Sequence, residues 1–96
     1  MSREILALAF FSPVPGQEKE CLAVTHELIA YIHDKCYGRD LLLRDTKGPN
    51  LYLDMRWWAS EDAGQKAHSD LEIHKYWARL GKVSKIKRIY ERLDQV

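Results

Sequence analysis

An apolar run of eight residues, Ile5 to Ser12, stops at Pro13-Val14-Pro15-Gly16. Two prolines fix φ and remove two backbone donors, so no helix or strand continues through them. A short apolar run closed by such a break reads as a buried strand. Beyond the break, from Gln17 to Cys36, the residues Cys21, Val24, Thr25, Leu28, Ile29, Ile32 and Cys36 share one helical face, with Glu18, Lys19, Glu20, Glu27 and Lys35 elsewhere. That is a long amphipathic helix, and Gly38 is placed just past its end to take the left-handed terminating conformation.

Two strand-like runs follow, Asp40 to Thr46 and Leu51 to Ala59, joined by Lys47-Gly48-Pro49-Asn50. These linking residues suit a hairpin, so the runs are expected to pair antiparallel. On the second run Leu51, Leu53, Met55 and Trp57 point one way and Tyr52, Asp54, Arg56 and Trp58 the other. The more apolar set is expected under the helices. The amphipathic set would then form a two-fold interface with a second copy, with Trp58 near its centre or rim. Ser60 can cap a helix whose first turn holds Glu61 and Asp62. Ser69-Asp70-Leu71-Glu72 fits a capping box, so the helical region should break near Ser69 and resume to Leu80, with Ile73, Tyr76, Trp77 and Leu80 inward and Gly81 ending it. The last stretch, Val83 to Gln95, has helical spacing, yet a fourth strand there would close an open sheet edge.

The sequence has 96 residues, enough for one domain, 1–96, that buries only about 60–65% of its unfolded surface and gains from self-association. A net charge of +1 gives no general field for nucleic acid or anionic lipid. The longest apolar runs are too short to cross a bilayer and no signal-peptide pattern is present, so a cytoplasmic protein without nucleic-acid or membrane partners is expected. Cys21 and Cys36, fifteen residues apart on one helix, would lie roughly 22 Å from each other. That excludes a disulfide, and buried, reduced thiols are expected.

From Tyr52 to His68 the chain reads YLDMRWWASEDAGQKAH. This resembles the antibiotic biosynthesis monooxygenase domain family, of the dimeric α/β-barrel group: Trp58, Ser60, Glu61, Asp62, Ala63 and His68 match its strand-closing aromatic, serine-acid-acid-alanine helix start and histidine in order and spacing. The Val14-Pro15-Gly16 turn, Gly38 and Arg44 fit the same layout. The resemblance implies an α+β, ferredoxin-like β-α-β-β-α-β monomer that pairs sheet to sheet as a homodimer, with a pocket between each sheet and its helices. It makes the C-terminal segment a strand. It also implies oxygenases that need no metal or flavin, alongside haem-degrading enzymes, isomerases and proteins without assigned activity. The haem-degrading branch fits poorly, since Ile5 to Phe11 contains no asparagine and its helix tryptophan falls at Ala67. A family glutamate is Arg56 here.

Among residues able to carry chemistry, His68 is the candidate base: just ahead of a helix N-terminus, its imidazole should be held neutral, although a surface or capping histidine would look the same. Arg56 and Tyr52 are candidate donors to a developing oxyanion. Trp57, Trp58, Tyr76 and Trp77 offer flat apolar surface for an aromatic substrate, or serve as core and interface. His26 and His33 flank the apolar face of the long helix, which would put His33 at a pocket rim. No metal-ligand spacing, dinucleotide fingerprint, Walker loop or nucleophile elbow is present, and neither metal nor cofactor is expected. The leading expectation is a cofactor-independent monooxygenase acting on a small aromatic or quinol-like molecule. The alternatives are a non-catalytic small-molecule binding or sensing dimer, or an isomerase on the same scaffold. An RNA-recognition domain has the same element order and could use Lys82, Lys85, Lys87, Arg88 and Arg92, but its basic-glycine-aromatic strand signature is missing.

Overall fold

A computed structural model of the chain describes residues 3–48 and 50–96. The elements run β1 (Ile5–Pro13), α1 (Glu18–Asp34), β2 (Gly38–Arg44), β3 (Tyr52–Trp58), α2 (Glu61–His68), α3 (Leu71–Val83) and β4 (Ser84–Leu93). The strands form one antiparallel sheet in the order β2-β3-β1-β4. This is the expected ferredoxin-like order, with the second helical region split in two. The C-terminal segment is a strand: pairing with β1 outweighs its local helical spacing. The expected hairpin turn includes Pro49, which lies outside the described residues.

Local chemistry explains most boundaries. Ser60 caps α2 by accepting from the Ala63 N–H at 3.0 Å. The break after α2 falls where expected, but Asp70 caps α3, accepting from the Glu72 N–H, while Ser69 ends α2. A carboxylate there does more than a hydroxyl, because Asp70 Oδ2 also accepts from the Tyr31 and Tyr37 hydroxyls at 2.8 and 2.9 Å. These bonds hold Asp70 below the usual carboxylate range, and burial together with the Asp70 bond pushes Tyr31 up to about 12. Gly81 does not end α3, which runs on to Val83; the Ser84 hydroxyl then bonds the Leu80 carbonyl at 2.7 Å.

At the end of α1 the left-handed residue is Cys36, with φ 61, not Gly38. The Tyr37 N–H bonds Ile32 O and the Cys36 N–H bonds His33 O, a complete Schellman closure in which Cys36 occupies the glycine position. Cys36 is therefore exposed, and only Cys21 is a buried thiol. Gly38 is needed for another reason: a Cβ there would meet the Trp57 carbonyl oxygen at 2.4 Å, where β2 presses onto β3.

The faces of the sheet are the reverse of the expectation. Tyr52, Asp54 and Trp58 are buried beneath the helices, with Ile5, Ala7, Ala9 and Phe11 beside them on β1. Leu51, Leu53, Met55 and Trp57 lie on or toward the open face. Alternation identified the two sets, but net polarity misassigned them. Arg56 bonds Asp54 and also Asp40 on β2, so the polar set is buried as a hydrogen-bonded charge cluster. Its aromatics supply core, Trp58 packing with Leu28, Ile32, Ala67 and Ile73, and Phe11 stacking on Tyr52 at 5.6 Å. The interface expected through Trp58 is therefore occupied by the chain's own helices.

Three cross-strand rows make up the open face: Arg39, Trp57, Leu6 and Leu93; Leu41, Met55, Leu8 and Tyr90; Leu43, Leu53, Phe10 and Arg88. Ten of these twelve residues are apolar or aromatic, and none of the described residues of the chain packs over them.

Candidate active site

Between the sheet and the helices lies a cavity of about 920 Å³. Its size follows from β1, where the helix-facing positions opposite Arg56 and Asp54 are Ala7 and Ala9, too small to fill the space beneath α1. Thr25 and Leu28 of α1 and Leu80 of α3 line the helical side, and Trp58, His68 and Trp77 close one end. The cavity opens along β4, where the lining residues Ile86 and Ile89 are each 54% exposed. Glu61, Glu91 and Arg92 also line it.

His68 is the last residue of α2, and its ring sits between two indoles, 5.5 Å from Trp58 and 5.3 Å from Trp77 between centroids. Gly64 makes this possible by lying against Trp58, where a Cβ would approach the indole Cγ to 3.3 Å. His68 Nδ1 is 2.7 Å from the Gly64 carbonyl oxygen. A carbonyl only accepts, so Nδ1 carries hydrogen and Nε2 is the basic nitrogen of the neutral ring. The position is less simple than the sequence suggested: His68 precedes the N-terminus of α3 but also ends α2, and the two helix ends act on it in opposite senses.

Arg56 bonds two carboxylates, Asp40 at 2.8 Å through Nε and Asp54 at 2.9 Å through Nη2, and its guanidinium lies 5.2 Å from the Trp58 ring centre. Arg56 and Asp54 both line the cavity. Burial, then a hydrogen bond with Asp40, pushes the Asp54 carboxyl up, against the pull of Arg56.

Of the residues singled out from sequence, the structure brings His68, Arg56, Trp58 and Trp77 together around the cavity. It places the other four elsewhere. Tyr52 is buried beside the cavity, its hydroxyl already donating to Glu18 at 2.7 Å, a bond that raises its pKa. Trp57 is on the opposite face of the sheet under the Arg39 guanidinium, 4.2 Å away. Tyr76 packs on Tyr31, and His33 is exposed beside Asp34. Sequence reasoning missed Asp40, Ala7 and Ala9. The hairpin register would have placed Asp40 opposite Arg56, and the paired alanines were the signal for empty space. Among the described residues no three His, Cys, Asp or Glu side chains group as metal ligands, and no helix is long and apolar enough to cross a membrane.

This is the fold of a ferredoxin-like α+β domain with a cavity between sheet and helices. The sequence matches no family model and no curated protein. Solved structures do match. SnoaB, a cofactor-independent oxygenase from Streptomyces nogalater, superposes with TM-score 0.79 at 18% identity, covering 97% of this chain and 96% of its own. A Chloroflexus aurantiacus protein, provisionally named an antibiotic biosynthesis monooxygenase, gives 0.78 at 14% identity, covering 98% and 95%. Rv0793 from Mycobacterium tuberculosis gives 0.76 at 15%, covering 97% and 98%. The family resemblance read from the sequence is thus matched in fold across nearly the whole chain.

Proposed function

We propose that this protein is a cofactor-independent monooxygenase acting on an uncharged aromatic molecule with an enolisable ketone or acidic hydroxyl. The observation that carries the reading is the cavity itself: apolar and aromatic walls hold His68 and Arg56 on a fold shared with a cofactor-independent oxygenase. Oxygenation without a cofactor requires a substrate whose carbanion can reduce dioxygen. For an anthrone-type CH₂ the substrate supplies all four electrons, one oxygen atom becomes the new carbonyl and the other leaves as water. His68 Nε2 takes the proton, and Arg56 N–H groups receive the negative charge that moves to the ketone oxygen. Tyr52 is not a donor in this scheme because its hydroxyl is committed to Glu18. The expected result is oxygen uptake by the pure protein with anthrone, reduced by about 10²-fold or more in His68→Ala. Equal uptake by protein and variant would refute the reading.

We also propose that the open face of the sheet pairs with a second copy. Its three rows of apolar side chains, flanked at opposite corners by Arg39 and Arg88, form a self-complementary patch suited to a two-fold axis.

A further inference from the structure

The cavity floor holds a charged cluster that the proposed chemistry uses only in part. Arg56 is clamped between Asp40 and Asp54, and all three side chains are nearly dry, at 0% exposure for Asp40, 11% for Asp54 and 13% for Arg56. Each carboxyl group bonds the guanidinium through Oδ2. Oδ1 of each is buried without a partner among the described residues, although the two carboxyls are within hydrogen-bonding reach. Two ionised carboxylates against one guanidinium would leave an uncompensated negative charge and two orphaned acceptors in a low-dielectric wall. One proton held by the pair removes the excess charge and lets one carboxyl donate to the other.

We propose that Asp40 and Asp54 hold a single proton between them, and that this leaves Arg56 able to bind a ligand oxygen as it becomes anionic. With the proton present the cluster is neutral and Arg56 can take on further negative charge. When the proton is lost the cluster carries net −1 and repels an enolate or phenolate. Asp54 and Asp40 are positioning residues for Arg56, and they select ligands that arrive uncharged and develop charge only at the guanidinium. The surroundings allow this. Facing Asp54 are Ala9 on β1 and Leu42 on β2, both without charge, while α1 contributes Thr25 and places Glu18 on Tyr52. The other charged or titratable groups lining the cavity are His68, Glu61, Glu91 and Arg92. Burial and the Asp40 bond place the Asp54 titration at about 8.

The inference shares with the proposed function the cavity as ligand site, but it does not depend on the reaction. Fluorine NMR titrations with pentafluorophenol, anionic throughout, and pentafluoroanisole, its uncharged counterpart, test it between about pH 6.5 and about pH 9.5. Phenolate binding should weaken by about tenfold or more across that range while anisole binding stays constant. Asp54→Asn should abolish the phenolate trend. Asp40→Asn should abolish it too, and serves if the first variant misfolds. Infrared spectra should contain a protonated-carboxyl C=O band at the lower pH that is missing from Asp54→Asn. A flat phenolate profile, a trend surviving both substitutions, no binding of either probe, or no such band would each overturn the proposal. Absent oxygen uptake with the phenolate trend intact would remove the monooxygenase reading and leave the shared proton standing.

Discussion

Met55→Asp tests the open face most sharply. Met55 lies in the central row between Leu8 and Leu41, so the substitution puts a carboxylate in the middle of the apolar patch. In a two-fold interface each substitution acts twice. An unpaired ion withdrawn from water costs several kcal/mol, so two cost on the order of 6 kcal/mol. Since about 1.4 kcal/mol is tenfold in affinity, the dissociation constant should rise by about 10⁴-fold. Met55 is not in the core beneath the helices, so the folded monomer should retain its helical circular dichroism. Sedimentation velocity at micromolar concentration should give twice the 11.2 kDa chain mass for the unmodified protein and the single-chain mass for the variant. A monomeric parent or a dimeric variant would refute the argument. Trp58→Glu is the contrasting case: it places the charge under α2, so it should unfold the chain rather than dissociate it.

Stability should depend on pH through Asp54, whose folded-state pKa of about 8 lies above its ordinary 3.8. The folded state then holds the extra proton between those values, so its stabilisation is complete below about 4 and declines as pH rises to about 8. The loss is on the order of a few kcal/mol, seen as a lower melting temperature at about pH 9 than at about pH 6, and Asp54→Asn should flatten that slope. Ile73 is fully buried against Trp58 and Ile32; Ile73→Ala should cost about 2–5 kcal/mol in urea unfolding, and a loss below about 1 would contradict the packing. Ala9→Leu should fill the cavity floor, abolishing pentafluoroanisole binding while far-ultraviolet circular dichroism stays unchanged.

The elements with local punctuation were legible in the sequence: β1 from its prolines, α1 from its apolar stripe, the α2 start from Ser60 and the helix break near Ser69. What escaped depends on partners distant in the chain. Arg56 and Asp54 look like surface residues until Asp40, sixteen positions before Arg56, is brought opposite by the hairpin. Asp70 displaces Ser69 as the cap because two tyrosines from elsewhere converge on it. The site was legible in its aromatic wall and histidine, which belong to one contiguous motif and the helix after it. Its empty space was not, because alanines in an apolar run read as ordinary strand.

The convergence of Tyr31 and Tyr37 on Asp70 ties the end of α1 and the start of β2 to the junction that follows His68. None of the three residues lines the cavity, yet together they fix where α2 stops and hence the bearing of its terminal imidazole. A phenylalanine arising at either tyrosine would therefore shift the bearing of His68 while leaving every residue that lines the cavity unchanged in identity.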